Sequence, residues 1–192
     1  MTDRRRAQPR AARSVGASFE AVSGSVEETQ ALGERLGRAL RAGDVVALRG
    51  ALGSGKTTLI QGIARGLGRA SQTLKSPTFV LVREYPGAVP LIHIDGYRLE
   101  GASAAAWLDL DLLFSPAKIT LIEWAERFEG LLPEGVVEVH LEHVSANRRR
   151  LRLPAANARA AELINRLGQA DADPTPTRDP SPEDSSDEVP GH

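Results

Sequence analysis

The sequence predicts a three-layer α/β fold with a mostly parallel sheet and an antiparallel C-terminal hairpin. Three observations predict it. An apolar run, Asp44-Val-Val-Ala-Leu-Arg49, leads into Gly50-Ala-Leu-Gly-Ser-Gly-Lys-Thr57, and apolar residues at helical spacing follow at Leu59, Ile60, Ile63, Ala64 and Leu67. Two more apolar runs, Val89–Asp95 and Lys118–Glu123, each end in a carboxylate. Past Pro133 the period changes to two: Val137, Val139 and Leu141 alternate with Glu138, His140 and Glu142, as in a half-exposed antiparallel strand.

Taken in order, the chain of 192 residues begins with a basic segment, residues 1–18, that carries Arg4, Arg5, Arg6, Arg10 and Arg13 and no hydrophobic run. Residues 170–192 are acidic and proline-rich, so the formal net charge of -1 hides two ends of opposite sign. Neither end can bury enough apolar surface to offset its ordering entropy, and both are expected to be disordered tails of one domain, residues 19–169. Ser25-Val-Glu-Glu28 fits a capping box, and Leu32, Leu36 and Leu40 recur every fourth residue, predicting a helix from Val26 to Arg41 ended by Gly43. The strand, the glycine-rich loop and a second helix follow, the helix closed by Gly66 and Gly68. Phe79–Val82 reads as a strand initiated by the Ser76-Pro77-Thr78 turn, and Glu84–Ala88 as a hairpin turn. Gly101–Phe114, with Trp107, Leu108, Leu110, Leu112 and Leu113, fits a helix ended by Pro116. Beyond the period-two strand, Asn147–Arg150 is expected to turn, Leu151 and Leu153 to start a returning strand, and Asn157–Leu167 to form a last helix. No internal repeat is present.

The loop is a complete G-x-x-x-x-G-K-[ST] sequence, which makes the predicted fold P-loop NTPase-like. Gly50, Gly53 and Gly55 allow positive φ and a close approach of backbone N–H groups to phosphate, with Ser54 and Thr58 completing the candidate nucleotide-binding set. Lys56 reaches the β/γ-phosphates as a point charge, and the Thr57 hydroxyl supplies one oxygen to an octahedral Mg²⁺. The phosphates would sit on the positive end of the following helix. In an open parallel sheet, ligands bind beyond the carboxyl ends of the strands, so Asp95 and Glu123 are candidates. One would hold the metal while the other orients the attacking water or couples the site to a movable segment. Each also fits a turn-forming acid. Thr78 lies where nucleotide switches put a γ-phosphate-sensing hydroxyl, although an ordinary Ser-Pro turn accounts for the same residues. Trp124 fits a core or rim aromatic, or a ring beside the nucleotide or at a partner surface. His93 is expected to alternate into the sheet as a satisfied histidine, and Arg148–Arg152 to form a solvated hairpin tip or a contact to nucleotide or RNA phosphate.

The absence of cysteine excludes a disulfide framework, a thiolate zinc site and a cysteine nucleophile. No apolar stretch approaches the ~18 residues needed to span a bilayer and no signal-peptide pattern is present, so a cytoplasmic location without membrane contact is expected. No Asn-Lys-x-Asp guanine-reading segment is present, and Asp95-Gly-Tyr-Arg98 lacks a glycine three residues after the acid; adenine is the expected base. Gly101–Phe114 carries no basic residue with which a kinase lid would clamp phosphate, and no arginine finger stands beside the loop, which predicts slow intrinsic turnover.

Four motifs in order, Gly50-Ala-Leu-Gly-Ser-Gly-Lys-Thr-Thr58, Lys75-Ser-Pro-Thr78, His93-Ile-Asp-Gly-Tyr-Arg-Leu99 and Leu121-Ile-Glu-Trp-Ala125, resemble the TsaE family, bacterial ATPases of tRNA threonylcarbamoyladenosine synthesis. The resemblance runs from about Thr29 to Arg152. It implies a fold that binds ATP and Mg²⁺ and acts with TsaD and TsaB, meeting tRNA through that complex. It implies a nucleotide cycle that resets the complex between rounds of modifying adenosine 37, not the transfer itself. Carried over by residue, Lys56 grips phosphate, Thr57 and Glu123 hold Mg²⁺, Thr78 lies in a switch-like segment, Asp95 is required for activity, and Trp124 completes the family's Glu-Trp pair. Phe79 supplies the aromatic after Ser-Pro-Thr, while Ala125 stands where proline is frequent. The expectation is a weak ATPase serving as a nucleotide-dependent switch. A P-loop small-molecule kinase and a nucleotide-gated RNA or protein adaptor without useful hydrolysis stand as alternatives.

Overall fold

A strand that is apolar on both sides needs cover on both faces, and Val45–Arg49 (β3) takes the middle of the sheet with its first four residues buried. The computed structural model describes residues 13–14, 18–69, 74, 77, 81–99 and 108–169. Among these, eight strands form one sheet in the order β1-β2-β8-β7-β3-β6-β5-β4. The strands are β1 Arg13–Ser14, β2 Ser18–Ser23, β3, β4 Val82–Tyr85, β5 Leu91–Asp95, β6 Ile119–Glu123, β7 Val137–Ser145 and β8 Arg148–Pro154. The helices are α1 Val26–Ala39, α2 Lys56–Gly66, α3 Leu110–Leu113 and α4 Ala158–Gln169, with a 3₁₀ turn at Ala125–Phe128. β3, β5, β6 and β7 run parallel, and β4, β8 and the pair β1–β2 add antiparallel edges.

Two cores make the three layers. On one face α1, α2 and α4 bring Leu32, Leu36, Leu59, Ile60, Ile63, Leu163 and Leu167 onto Val46, Leu48, Leu121, Val139, Leu151 and Phe19. On the other, Leu99, Leu113, Ala125 and Phe128 cover Val45, Ala47, Ile92, Ile94 and Ile122. Arg159 of α4 ties the first layer together, its Nε and Nη2 donating to Asp44 at 2.7 and 2.6 Å and Nη2 also to the Ala39 carbonyl at 2.9 Å.

The α1–α2 contact is built from backbone. A methyl group added at Gly33 or Gly37 would lie 2.3 Å from the Leu59 carbonyl oxygen or 2.2 Å from that of Ile63. Added at Gly62 or Gly66, it would lie 2.1 Å from the Gln30 oxygen or 2.2 Å from that of Glu34. Two G-x-x-x-G faces meet, and only glycine permits that approach.

Several boundaries differ from the sequence reading. β2 is an unpredicted strand, held by Phe19 and Ala21 packing opposite Leu153 and Leu151. β4 lies at Val82–Tyr85, so Glu84 and Tyr85, expected in the turn, are strand; buried Tyr85 opposite Leu91 fixes that register. Phe79 and Val80 lie outside the described residues. Of the expected Gly101–Phe114 helix only α3 is helical among the described residues, capped by the Asp109 side chain, and Trp107 lies outside them. The expected antiparallel β7 is parallel to β3 on one side and antiparallel to β8 on the other, because the crossover from β6 returns the chain in the same direction. α1 ends at Ala39, before Arg41, and Gly43, with φ 88°, serves the turn into β3 instead. The expected basic tail and acidic tail fall outside the described residues, apart from β1 and the first residue of β2.

Candidate functional site

The chain leaves β3 through the glycine loop and enters α2 at Lys56, whose preceding Gly55 has φ 101°. Gly50 has φ 145° and no room for a side chain: an added methyl would lie 2.3 Å from the Leu141 carbonyl oxygen and 2.8 Å from Ser54 Oγ. Around Gly53, with φ 75°, an added methyl would meet nothing within 4 Å, so the loop has an open mouth. Above it lies a cavity of about 510 Å³, walled by Gly53, Gly55, Lys56, Thr57 and Thr58 in the middle. Asp95, Tyr97, Glu123 and Trp124 form one side, and Ser25, Val26, Thr29, Ala146, Asn147 and Arg149 the other.

Charge converges on the first side. Lys56 is buried, and its Nζ donates to the carbonyls of Gly50 and Ala51 at 2.7 and 3.0 Å. The same ammonium lies 3.9 Å from the centroid of the Trp124 ring, in cation–π range. Burial lowers the Lys56 pKa below the usual lysine value, against the pull of Glu123, Glu126 and Asp95. The hydroxyl of Thr57 donates to the Glu123 carboxylate, 3.0 Å from Oε1 and 2.8 Å from Oε2. His93 Nε2 meets Glu123 Oε1 at 2.9 Å from the other side.

Parallel pairing of β5 with β6 sets Asp95 directly opposite Glu123, so both strand-end carboxylates reach the site. They differ in what they touch. Asp95, also buried, accepts the Tyr97 backbone N–H at 2.9 Å in a local turn. Trp124 takes the left-handed conformation, φ 57° and ψ 45°, which costs a non-glycine residue roughly 1–2 kcal/mol. Close packing enforces it: Gly96 donates its N–H to the Glu123 carbonyl at 2.9 Å, and a methyl on Gly96 would lie 3.0 Å from the Trp124 oxygen. The Trp124 ring therefore spans from Lys56 to Tyr97, whose ring centroid is 5.0 Å away.

The residues fit a phosphate with Mg²⁺. Lys56 and the backbone N–H groups around Gly53 and Gly55 border the open mouth of the loop, where an anion would sit, while Ser54 Oγ is buried behind it and does not line the cavity. The Thr57 proton is already directed to Glu123, which leaves hydroxyl lone pairs for a hard cation that prefers oxygen.

Of the sequence-predicted set, Gly53, Gly55, Lys56, Thr57, Thr58, Asp95, Glu123 and Trp124 line the cavity, whereas Gly50 only accepts from Lys56 and Ser54 is buried behind the loop. Thr78 lies outside the described residues. His93, expected to be a satisfied histidine, leaves Nδ1 buried with no partner while its Nε2 is committed to Glu123. Arg149, expected in a solvated hairpin tip or in contact with nucleotide phosphate, lines the cavity: the β7–β8 turn at Ala146–Asn147 brings it beside the loop, where no arginine was expected, and a methyl on Gly55 would lie 3.9 Å from its Nε. No local signal ties Arg149 to the loop; only the pairing of β7 with β3 brings it there.

The family described as "Threonylcarbamoyl adenosine biosynthesis protein TsaE" matches residues 23–151. The tRNA threonylcarbamoyladenosine biosynthesis protein TsaE of Bacillus subtilis is 36% identical over 146 residues, covering 76% of this chain and 90% of that protein. Its namesake in Streptomyces coelicolor is 39% identical over 140 residues, covering 71% of this chain and 85% of that protein. The crystal structure of Bacillus subtilis YdiB superposes with a TM-score of 0.68 at 29% identity, covering 84% of this chain and 99% of that one.

Proposed function

Since the chain belongs to the TsaE family, we propose that it is the ATP-binding and ATP-hydrolysing component of a tRNA N6-threonylcarbamoyladenosine modification machinery, a nucleotide-dependent switch that acts with TsaD and TsaB. The observation that carries the nucleotide reading is the bond from the P-loop hydroxyl of Thr57 to the strand-end carboxylate of Glu123, beside a lysine held at the same loop. In this reading the loop N–H groups and Lys56 grip the phosphates, and Lys56 exchanges its carbonyl partners at Gly50 and Ala51 for phosphate oxygens. Mg²⁺, held by Thr57 and Glu123, supplies charge neutralisation on the phosphate oxygens. Asp95 orients the water that attacks the γ-phosphate, and Trp124 shields the lysine side of the cavity. Turnover is slow in the isolated chain and rises when partners complete the site.

In the hairpin, exposed ion pairs join Arg150 to Glu142 at 3.2 Å and Arg152 to Glu20 at 3.4 Å, and Arg149 Nη1 donates to the Ser145 carbonyl at 3.1 Å; such surface pairs are weak, and the RNA-adaptor alternative is decided by experiment. Among the described residues no helix is long and apolar enough to cross a membrane. The test is ATP turnover by the purified protein alone, then with TsaB, TsaD and tRNA. Stimulation by the partners supports the reading; turnover that ignores them and needs a small acceptor instead would replace it with the kinase alternative.

A further inference from the structure

His93 is a fully buried polar side chain that lies, along its strand face, between an apolar half and the carboxylates Asp95 and Glu123. It shares that face of the sheet with Leu91 on β5 and with Ile119 and Leu121 on β6, and its relative exposure is 0%. An aliphatic side chain would pack there without polar cost. Imidazole instead leaves Nδ1 buried and unpartnered, at a cost on the order of 1–3 kcal/mol. What accompanies that cost is the 2.9 Å contact from Nε2 to Oε1 of Glu123, whose side chain is 4% exposed. An ionised carboxylate only accepts, so the proton of this bond sits on Nε2.

We propose that His93 is a positioning residue for metal-dependent nucleotide binding: as the Nε2–H tautomer it pins the Glu123 carboxylate, so that this group and the Thr57 hydroxyl face the phosphate cradle as one fixed pair of oxygen donors. The proposal rests on the ATP·Mg²⁺ reading above. Its physical basis is that the terminal torsion of a glutamate is broad and roughly two-fold. Thr57 holds the carboxylate from the loop side only, and without His93 the group is free to turn about that contact. Partners that orient metal-binding groups typically contribute about 10–100-fold to metal affinity.

Three substitutions separate positioning from packing. In His93→Gln the side-chain amide nitrogen reaches the place of Nε2; in His93→Asn it reaches only the place of Nδ1; His93→Leu has no donor. ADP binding is followed by calorimetry during a Mg²⁺ titration and again in EDTA, with thermal melting as the check on folding. The expected result is a Mg²⁺ midpoint raised about tenfold or more in His93→Asn and His93→Leu, within about threefold of the parent in His93→Gln, and unchanged metal-free binding in all three. ¹⁵N NMR of the unsubstituted protein is expected to show a proton on Nε2. A parent-like Mg²⁺ midpoint in a folded His93→Asn or His93→Leu protein overturns the proposal. So does an equal shift in all three, which is the mark of packing alone, or an imidazole with no proton on Nε2. If the parent itself binds no ADP, the nucleotide reading fails instead, and the tautomer measurement decides the His93–Glu123 bond separately.

Discussion

Two regions flank the P-loop helix, and they are built in opposite ways. The α1–α2 seam brings main chains together through Gly33, Gly37, Gly62 and Gly66, with no space for a methyl group. The strand-end cluster of His93, Asp95, Glu123 and Trp124 gathers long polar and aromatic side chains, one of them on a left-handed residue and one with an unpartnered ring nitrogen. The difference teaches where stability and chemistry reside. The seam contains little that can react and cannot be altered without moving backbone; the cluster holds backbone strain and an unpartnered ring nitrogen that its packing maintains.

That contrast is sharpest in variants that should affect one region and spare the other. Lys56→Ala should have the largest effect, weakening ATP binding by about a hundredfold or more because a buried charged contact to phosphate is lost, with little change in melting temperature. Calorimetric titration checks it, and parent-like affinity would break the assignment of the cluster as the chemical side. Gly62→Ala should do the reverse. Overpacking against the Gln30 carbonyl should remove about 2 kcal/mol of stability, or roughly 4–8 °C of melting temperature, and leave nucleotide affinity nearly intact below the transition. Glu123→Gln keeps the shape of the side chain and removes its charge; the Mg²⁺ midpoint should rise about tenfold without loss of fold, as a metal titration of ADP binding would show.

The smallest effect belongs to the seam side. Arg159 holds the Glu162 pKa below its ordinary value of 4.5, chiefly through their hydrogen bond. A carboxylate with a lowered folded pKa adds stability above its unfolded pKa, and that contribution is lost as the pH falls through the folded value. Glu162→Gln should therefore lower the melting temperature slightly at neutral pH and leave it unchanged at pH values below the folded pKa, which flattens the acid limb of the profile. A steeper acid limb would contradict the assignment.

Much of the cluster was legible because its parts announce themselves locally. Eight contiguous positions fix the loop, and a carboxylate ending an apolar run marks a strand end. The parallel register that places Asp95 opposite Glu123 followed from the fold class, but the distinct roles of the two did not, because partners lie on other strands. The bond between His93 and Glu123 depends on side-chain direction across β5 and β6, which no single-strand pattern contains. Arg149 reaches the loop only through the β7–β3 pairing. The seam was readable in principle, since Gly33/Gly37 and Gly62/Gly66 each recur at four residues, but the leucine period of α1 directs attention to the opposite interpretation, side chains packing into a core. β2 is six residues long with only Phe19, Ala21 and Ser23 buried, too weak a pattern to stand out beside an arginine-rich segment.

The glycine seam also settles which parts of the molecule can travel. Helices that touch through main-chain atoms have no side chains whose rotamers could absorb a slide, so α1 and α2 move as one body. The start of α1, with Ser25, Val26 and Thr29, walls one side of the cavity, and the start of α2 forms its floor. Those two surfaces keep their spacing whatever is bound. Any displacement of the cavity walls is then left to the β7–β8 turn at Ala146, Asn147 and Arg149 and to the opposite wall at Asp95, Tyr97 and Trp124. Amide exchange should show it: on adding nucleotide, protection along α1 and α2 should change together, and separately from that at Gly96–Tyr97 and Trp124–Phe128.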